Sequence, residues 1–218
     1  MYIPKYFKVE NADEILDFVQ KNSFGTIVTT EQGKPIATHL PLGLNKKGDD
    51  YYITGHIAYG NPQVGTLETC KDVLVMFQGP HAYISSSWYG HEDVPTWNYQ
   101  AVHIYGKASI LERDELIEEL TIMMEKYEKH RENPILWDNL SPQLLERQLK
   151  AIVGFKIKVE DIQAAYKLSQ NRNDTDYMNI IDQLQNEGDP DSEQLAAAMK
   201  KEAGKLDINL PSTLSYRN

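Results

Sequence analysis

The stretch FGTIVTTEQGKPIATHLPLGL, residues 24–44, decides the fold. From Phe24 the apolar period becomes two, and residues 24–30 are rich in β-branched side chains, as in a strand. Residues 31–34, EQGK, form a turn, and residues 35–44 give a second strand. A turn this short joins antiparallel strands, because parallel pairing needs a crossover of a dozen or more residues. The stretch therefore predicts a β-hairpin.

Further segments with strand or helix periodicity, separated by turn residues, lie on both sides of this hairpin. Further strands are predicted at residues 51–57, 73–77, 81–86, 99–111 and 154–159. Helices are predicted after Asn11, from Asn61 with Pro62 at the first position, at 113–130, after Ser141, and at 174–185 and 191–205. Short strands with hairpin-length turns predict an α+β fold, an antiparallel β-barrel of about six to seven strands with peripheral helices. A doubly wound parallel sheet is disfavoured, because the first three predicted strands lack the long crossovers that parallel pairing requires.

The amino-acid composition disfavours secreted, membrane-spanning and non-specific nucleic-acid-binding proteins. The 218 residues carry 22 Lys and Arg against 32 Asp and Glu, a net charge of −10, which disfavours non-specific binding to nucleic acid. A single cysteine, Cys70, suits a reducing cytoplasm, and no apolar run is long enough for a membrane span. We expect a cytoplasmic protein with no membrane association, a first domain at residues 1–172 and a C-terminal helical extension at 173–218.

Several common motifs are absent from the sequence. It holds neither of the usual glycine-rich phosphate loops and no paired C-x-x-C, so the usual nucleotide loops and closed structural zinc are disfavoured. Residues 85–87 are three serines without a G-x-S-x-G frame. No acid–base pair stands out, so no catalytic residue is assigned.

Residues 54–63, TGHIAYGNPQ, form the first segment with unusual chemistry. A strand runs into a helix N-terminus, where free N–H groups favour phosphate, and Gly60 allows close approach of the backbone. Thr54 and His56 share one strand face and can donate hydrogen bonds to a ligand. The alternative is a plain strand-to-helix corner with a buried histidine.

Two more segments stand out. Residues 88–99 contain four aromatics and His91, and they indicate either walls for a flat ring or a subunit interface. Residues 167–172, KLSQNR, combine amides, a hydroxyl and two cations, and Arg172 can bind phosphate in a bidentate manner. The alternative for this third segment is a solvated loop.

Six segments in order carry a family resemblance: residues 38–42, 54–63, 77–85, 94–99, 102–103 and 167–172. Together they resemble the PaiB family, FMN-binding negative transcriptional regulators associated in bacilli with protease synthesis and sporulation. The resemblance spans nearly the whole chain. It implies an FMN-binding split β-barrel related to pyridoxamine-phosphate oxidase, in which a homodimer holds FMN in a groove between its subunits.

The resemblance also implies a set of cofactor-binding residues. His39 and Leu40 are expected along the flavin, with Thr54, Gly55 and His56 close to it. The phosphate end is expected near Ala58, Tyr59 and Asn61, the pocket is closed by Trp97, Asn98 and Tyr99, and Arg172 supplies a cation. Tyr59 stands where relatives often have arginine, which removes a bidentate phosphate contact.

We therefore expect an FMN-binding repressor that acts as a homodimer through a small-molecule effector or a protein partner. Direct DNA binding is doubtful because of the net charge of −10 and the lack of a basic recognition helix. Two alternatives stay open: a flavin-dependent oxidoreductase or flavin reductase, and a haem-binding split-barrel protein with an exposed ligand such as His91.

Overall fold

The computed structural model describes residues 1–70, 72–206 and 208. Within them the chain forms seven strands: β1 (Lys8–Val9), β2 (Phe24–Glu31), β3 (Lys34–Lys47), β4 (Asp50–Ala58), β5 (Val73–Ile84), β6 (Thr96–Ile110) and β7 (Ile152–Lys167). It also forms six α-helices: α1 (Ala12–Lys21), α2 (Val64–Leu67), α3 (Arg113–Glu128), α4 (Pro142–Leu149), α5 (Asp174–Asn186) and α6 (Pro190–Ala203). None of these helices has the length and apolar character needed to cross a bilayer.

The pairs β1–β7, β2–β3, β2–β5, β3–β4 and β4–β7 are all antiparallel, which confirms the predicted α+β antiparallel fold. The order is β1-β7-β4-β3-β2-β5-β6, and β6 also pairs with β7. That last pairing closes six strands into a ring, with β1 added outside it on β7. The first hairpin joins β2 and β3, as predicted, and its register places Thr26 opposite His39.

Gly106 permits the closure between β6 and β7. A Cβ atom at this position would lie 2.1 Å from the carbonyl oxygen of Lys158 and 2.8 Å from Ile157. No side chain fits in that space, so only glycine allows the two backbones to approach this closely.

Two predicted boundaries were wrong. Residues 73–77 and 81–86 were expected as separate strands, but β5 runs unbroken through Gly79 and Pro80. The pairing of β5 with β2 covers only Leu74 to Met76, so the missing N–H of Pro80 removes no bond on that side. Strand β7 also extends to Lys167, well beyond the predicted end at Val159, so the whole second half of the strand was missed.

The described residues group into two compact units. Unit 2 comprises residues 16–77 and 103–162. Its core is apolar and fully buried, with Ile27, Ile53, Val75, Ile104, Phe155 and Ile157 at 1% exposure or less. A smaller cluster of Leu111, Leu116 and Leu149 packs α3 and α4 together.

Unit 1 comprises residues 1–15, 78–102 and 163 onwards. Helices α5 and α6 form its core through Tyr177, Ile180, Ile181, Leu184, Leu195 and Met199, all fully buried. The hydroxyl of Tyr177 donates to the backbone oxygen of Met199 at 2.8 Å, and burial raises the pKa of this phenol. A domain boundary after residue 172 stays a prediction, and the last ten residues of the predicted extension lie outside the described residues.

Candidate functional site

One face of the sheet in unit 2 carries four of the twelve predicted cofactor residues: His39, Thr54, His56 and Ala58. Side chains alternate along a strand, and directly opposed residues of an antiparallel pair share a face. His39 is opposite Thr26, and Gly43 is opposite Thr54, so both pairs lie on this face. By the same alternation His56 and Ala58 follow Thr54, and Phe24 shares the face at 68% exposure. We call the face that carries the exposed residues Phe24, His39 and Ala58 and the half-buried Thr26 the open face.

Leu40 and Gly55 lie on the other side of the same strands. Leu40 is 5% exposed and belongs to the apolar core. A Cβ atom at Gly55 would meet Leu42 at 2.7 Å and Phe155 at 3.1 Å, so this glycine also faces the packed interior. Of these two residues only backbone atoms can contribute to a ligand on the open face.

A buried amide fixes the corner that follows β4. The side-chain nitrogen of Gln63 donates to Thr29 Oγ1 at 3.0 Å and to the carbonyl oxygen of Ile36 at 3.2 Å. Its side-chain oxygen accepts from the hydroxyl of Thr38 at 2.6 Å, and Thr38 in turn accepts from Asn61 Nδ2 at 3.0 Å. This Gln63 network ties the corner to both β2 and β3.

The predicted helix start, with Asn61 as the cap and Pro62 as the first residue, was wrong by two residues, since α2 begins at Val64 and is only four residues long. The reason is local: Asn61 Oδ1 accepts from the backbone nitrogen of Gln63 at 2.9 Å, which makes a turn ahead of the helix. The backbone nitrogen of Tyr59 donates to Ala151, and the Tyr59 side chain is 70% exposed. A Cβ atom at Gly60 would meet nothing within 4 Å, so the backbone is open there.

Helix α3 covers the far end of the same sheet face and leaves a cleft of about 340 Å³. Leu42, Leu44, Thr54, His56, Glu119 and Met123 are among its lining residues, and we call it the α3 cleft. Its helical side is held in place by the hydroxyl of Tyr127, 2.6 Å from Ser23 Oγ, and by Lys126 Nζ, which donates to the carbonyl oxygen of Gln20 at 2.9 Å.

The polar groups of the α3 cleft form a short chain. Asn45 Nδ2 donates to Thr54 Oγ1 at 3.2 Å, and the Thr54 side chain bonds to the carboxylate of Glu119. Burial raises the pKa of Glu119, and the nearby charge of Glu118 raises it further. Burial lowers the pKa of His56, so its imidazole is neutral at pH 7. Sequence analysis missed Glu119 altogether.

Unit 1 holds the predicted aromatic residues. Trp97 is 54% exposed and packs edge-on against Tyr83, with ring centroids 6.0 Å apart. Asn98 points to the opposite side of β6, where it is fully buried and donates to Ser169 Oγ at 2.8 Å. Tyr99 returns to the side of Trp97 by strand alternation. Trp97 and Asn98 therefore present their side chains to different faces.

Arg172 is the centre of an ionic cluster in unit 1. Its guanidinium lies 4.2 Å from the centroid of the Tyr89 ring and pairs with the carboxylate of Asp93. His91 Nδ1 is 3.1 Å from Asp176, which also accepts from the backbone nitrogen of Gly90 at 2.7 Å. We call this set the Arg172 cluster. The guanidinium that was predicted to meet phosphate is thus already neutralised by a carboxylate.

These features define a class of protein. A ring of antiparallel strands with a ligand-sized cleft on one sheet face is the architecture of flavin-binding split barrels, and the chain belongs to the family described as "Putative FMN-binding domain", which matches residues 1–161. The fold predicted from the sequence is thereby confirmed.

Individual relatives define the family more closely. "Protease synthase and sporulation protein PAI 2" of Bacillus subtilis (strain 168) is 78% identical over 205 residues, covering 94% of this chain and 99% of that protein. The predicted PaiB membership is therefore confirmed.

Two solved structures share the fold at low identity. The flavocytochrome Anf3 from Azotobacter vinelandii has a TM-score of 0.57 at 12% identity, covering 76% of this chain and 72% of that one. The FAD and heme binding protein from Mycobacterium smegmatis has a TM-score of 0.55 at 13% identity, covering 73% of each chain.

Proposed function

We propose that this protein is a cytoplasmic FMN-binding regulator that lowers protease production and sporulation, as the PaiB resemblance implies. Its 78% identity with PAI 2 and its match to an FMN-binding family support the proposal. The observation that carries it is the placement of His39, Thr54, His56 and Ala58 on one sheet face beside a rigid corner. FMN would supply redox chemistry there, and the chain would bind and orient it.

The open face fits a flat ring better than the corner fits a phosphate. Thr54 and Ala58 are small, and His56 is neutral, so an uncharged ring can lie across them without displacing a cation. The corner at residues 58–63 contains no Lys or Arg, and Asn61 is engaged in the Gln63 network. Phosphate binding would therefore rest on the backbone around Gly60 and on cations from elsewhere, for which Arg172 stays a prediction.

An absorption spectrum of the purified protein, followed by FMN titration, tests the flavin proposal. We expect a flavin spectrum or a rise in Tm with added FMN, because a ligand that binds only the folded state stabilises it. His56→Ala should weaken FMN binding about tenfold, the loss of about one good contact. His130→Ala, at an exposed position after α3, is the matched control and should bind FMN like the wild type. A protein that neither carries nor binds FMN contradicts the proposal.

The same purified protein also tests the two alternative functions, haem binding and flavin reductase activity. A Soret band would indicate haem, in keeping with the name of the Mycobacterium smegmatis neighbour. NADH or NADPH oxidation faster than with free FMN would indicate a flavin reductase. Regulation without direct DNA contact is expected from the net charge of −10, so a mobility-shift assay with promoter DNA should show no salt-sensitive complex.

An arginine at position 59 tests whether the phosphate of FMN binds at the corner of residues 58–63. Tyr59→Arg should raise FMN affinity about tenfold, because a guanidinium can bind phosphate in a bidentate manner. Tyr2→Arg adds the same charge at an exposed tyrosine outside the predicted site and should leave the affinity unchanged. An equal gain in both variants would mean that overall charge, not the corner, sets the affinity.

A homodimer is proposed on the open face. Phe24 is 68% exposed at the start of β2, an inner strand of this sheet, and a second copy would cover it. Phe24→Glu should give a monomer in sedimentation experiments, because it would bury an unpaired charge in the interface. Ile135→Glu, at an equally apolar position that is 54% exposed, should leave the assembly unchanged. A wild-type monomer at every concentration tested contradicts this part of the proposal.

A further inference from the structure

We propose that the α3 cleft binds a small organic cation, with its ammonium group on the carboxylate of Glu119 and its apolar body against Leu44 and Met123. This goes beyond the proposed function, which assigns the flavin ring to the open face. The cleft continues from that face under α3 and shares Thr54 and His56 with it. The amine would be an effector or a co-substrate of the flavin-bound protein.

The first argument is the unbalanced charge of Glu119. Its carboxylate is partly buried and accepts from Thr54, whose own oxygen is occupied by Asn45. Within the part of the chain that the structure describes, no cationic side chain contributes to the surroundings of Glu119, and Glu118 adds a second negative charge. A buried carboxylate without a cation is unfavourable, so the cleft favours a ligand that brings one.

The other ionisable groups of the cleft do not supply that cation. His56 on β4 is neutral, since burial lowers its pKa. Lys126 on α3 lines the cleft, but its ammonium group donates to the carbonyl oxygen of Gln20 at 2.9 Å and lies 5.2 Å from the Tyr127 ring. The hydroxyl of Tyr127 is bonded to Ser23. The negative charge of Glu119 is therefore left for a ligand.

The second argument is the apolar remainder of the cleft. Leu42, Leu44, Ile122 and Met123 line it together with the polar chain of Asn45, Thr54 and Glu119. A volume of about 340 Å³ accommodates an amine with one ring or a short alkyl chain. Inorganic cations are disfavoured, because they would lose water without gaining further oxygen ligands from apolar walls.

Benzylamine and benzyl alcohol test this inference, since they share a ring and differ in charge. We would measure their binding by calorimetry to the full chain, with and without saturating FMN. Benzylamine should bind at least tenfold more tightly than benzyl alcohol, the effect of one charge-assisted hydrogen bond. Glu119→Gln should remove that difference. Glu125→Gln, which removes an exposed charge from the same helix, should keep it.

A second variant, Ile122→Trp, tests the same cleft even if Glu119→Gln does not fold. Ile122 is 49% exposed at the cleft, so Ile122→Trp should fold and block both probes by filling the space. Equal affinities for the two probes, or unchanged benzylamine binding in Glu119→Gln, would overturn the inference. One-for-one competition with FMN would also overturn it, because the cleft would then hold the flavin itself. Benzylamine binding without FMN binding would instead contradict only the proposed function.

Discussion

The α3 cleft and the Arg172 cluster both contain several ionisable side chains, but they differ in whether the carboxylates are paired with cations or other donors. In the Arg172 cluster the guanidinium pairs with Asp93, and Asp176 accepts from the backbone nitrogen of Gly90 and from Asn173, so both carboxylates are bonded to donors. In the α3 cleft Glu119 has the hydroxyl of Thr54 as a partner, but no cationic side chain among the described residues acts on it. The first arrangement stabilises a loop, whereas the second leaves an interaction that only a ligand can complete.

The shifts in pKa have opposite signs in the two regions. The Arg172 guanidinium lowers the pKa of Asp93, and the Gly90 N–H lowers the pKa of Asp176. Burial raises the pKa of Glu119. A carboxyl group with a lowered pKa stabilises the native state when ionised, and one with a raised pKa destabilises it. Stability measurements on variants of the two regions can therefore test whether their carboxyl groups have opposite effects on the folded state.

The largest effect is expected from Arg172→Ala. Loss of the ion pair and of the contact with Tyr89 should cost about 2 kcal/mol, because both partners are largely shielded from solvent. At this chain length that lowers Tm by about 4–8 °C. Arg147→Ala, at an exposed position on α4, should change Tm by less than about 1 °C. An unchanged Tm with reduced FMN affinity would show that Arg172 serves phosphate rather than the loop.

Asp176→Asn should have a smaller, pH-dependent effect. The ionised carboxylate accepts from Gly90 and Asn173, and its replacement should cost on the order of 1 kcal/mol at pH 7. Since the native pKa lies below 3.8, this stability is present above pH 3.8 and is lost as the pH falls through the lowered native value. Thermal melts across that range should show the two proteins converging. Asp182→Asn on the exposed side of α5 should not reproduce the effect.

Glu119→Gln should have the smallest effect and the opposite sign. Its raised native pKa destabilises the folded state at neutral pH, so the variant should melt higher at pH 7, by no more than about 2 °C because solvent screens a half-exposed group. The gain should vanish below pH 4.5, where native and unfolded states are both protonated. A lower Tm at pH 7 would show that Glu119 is a structural residue, with Glu125→Gln as the neutral reference.

The sequence predicted most of the fold because its local patterns are strong. The period of two from Phe24 and the turns after it predicted β2, β3 and β4, whereas the two-residue β1 was not predicted. Asn11 caps α1 as expected, since Glu14 N donates to its side chain at 3.0 Å. The pairing of β6 with β7 depends on residues far apart in the chain, and no local pattern around Gly106 reveals it. For the same reason the length of β7 was underestimated.

The candidate site was predicted only in part. The alternation of Thr54 and His56 placed them correctly on one face, whereas Arg172 looked available because its partner Asp93 is 79 residues away in sequence. Glu119 could have been found: it lies three residues after Leu116 and four before Met123, so it interrupts the apolar side of α3. A charged residue on the apolar side of a predicted helix is therefore a candidate site residue that can be selected from the sequence alone.

The Gln63 network has a consequence for the speed and strength of ligand capture. One buried amide holds the corner against two strands, so its backbone is preorganised and loses little conformational entropy when a ligand arrives. Affinity at this end would then be governed by the chemistry that residue 59 offers, with no penalty for assembling the loop. Evolution could retune such a corner by exchanging a single outward-facing side chain while its scaffold stays intact.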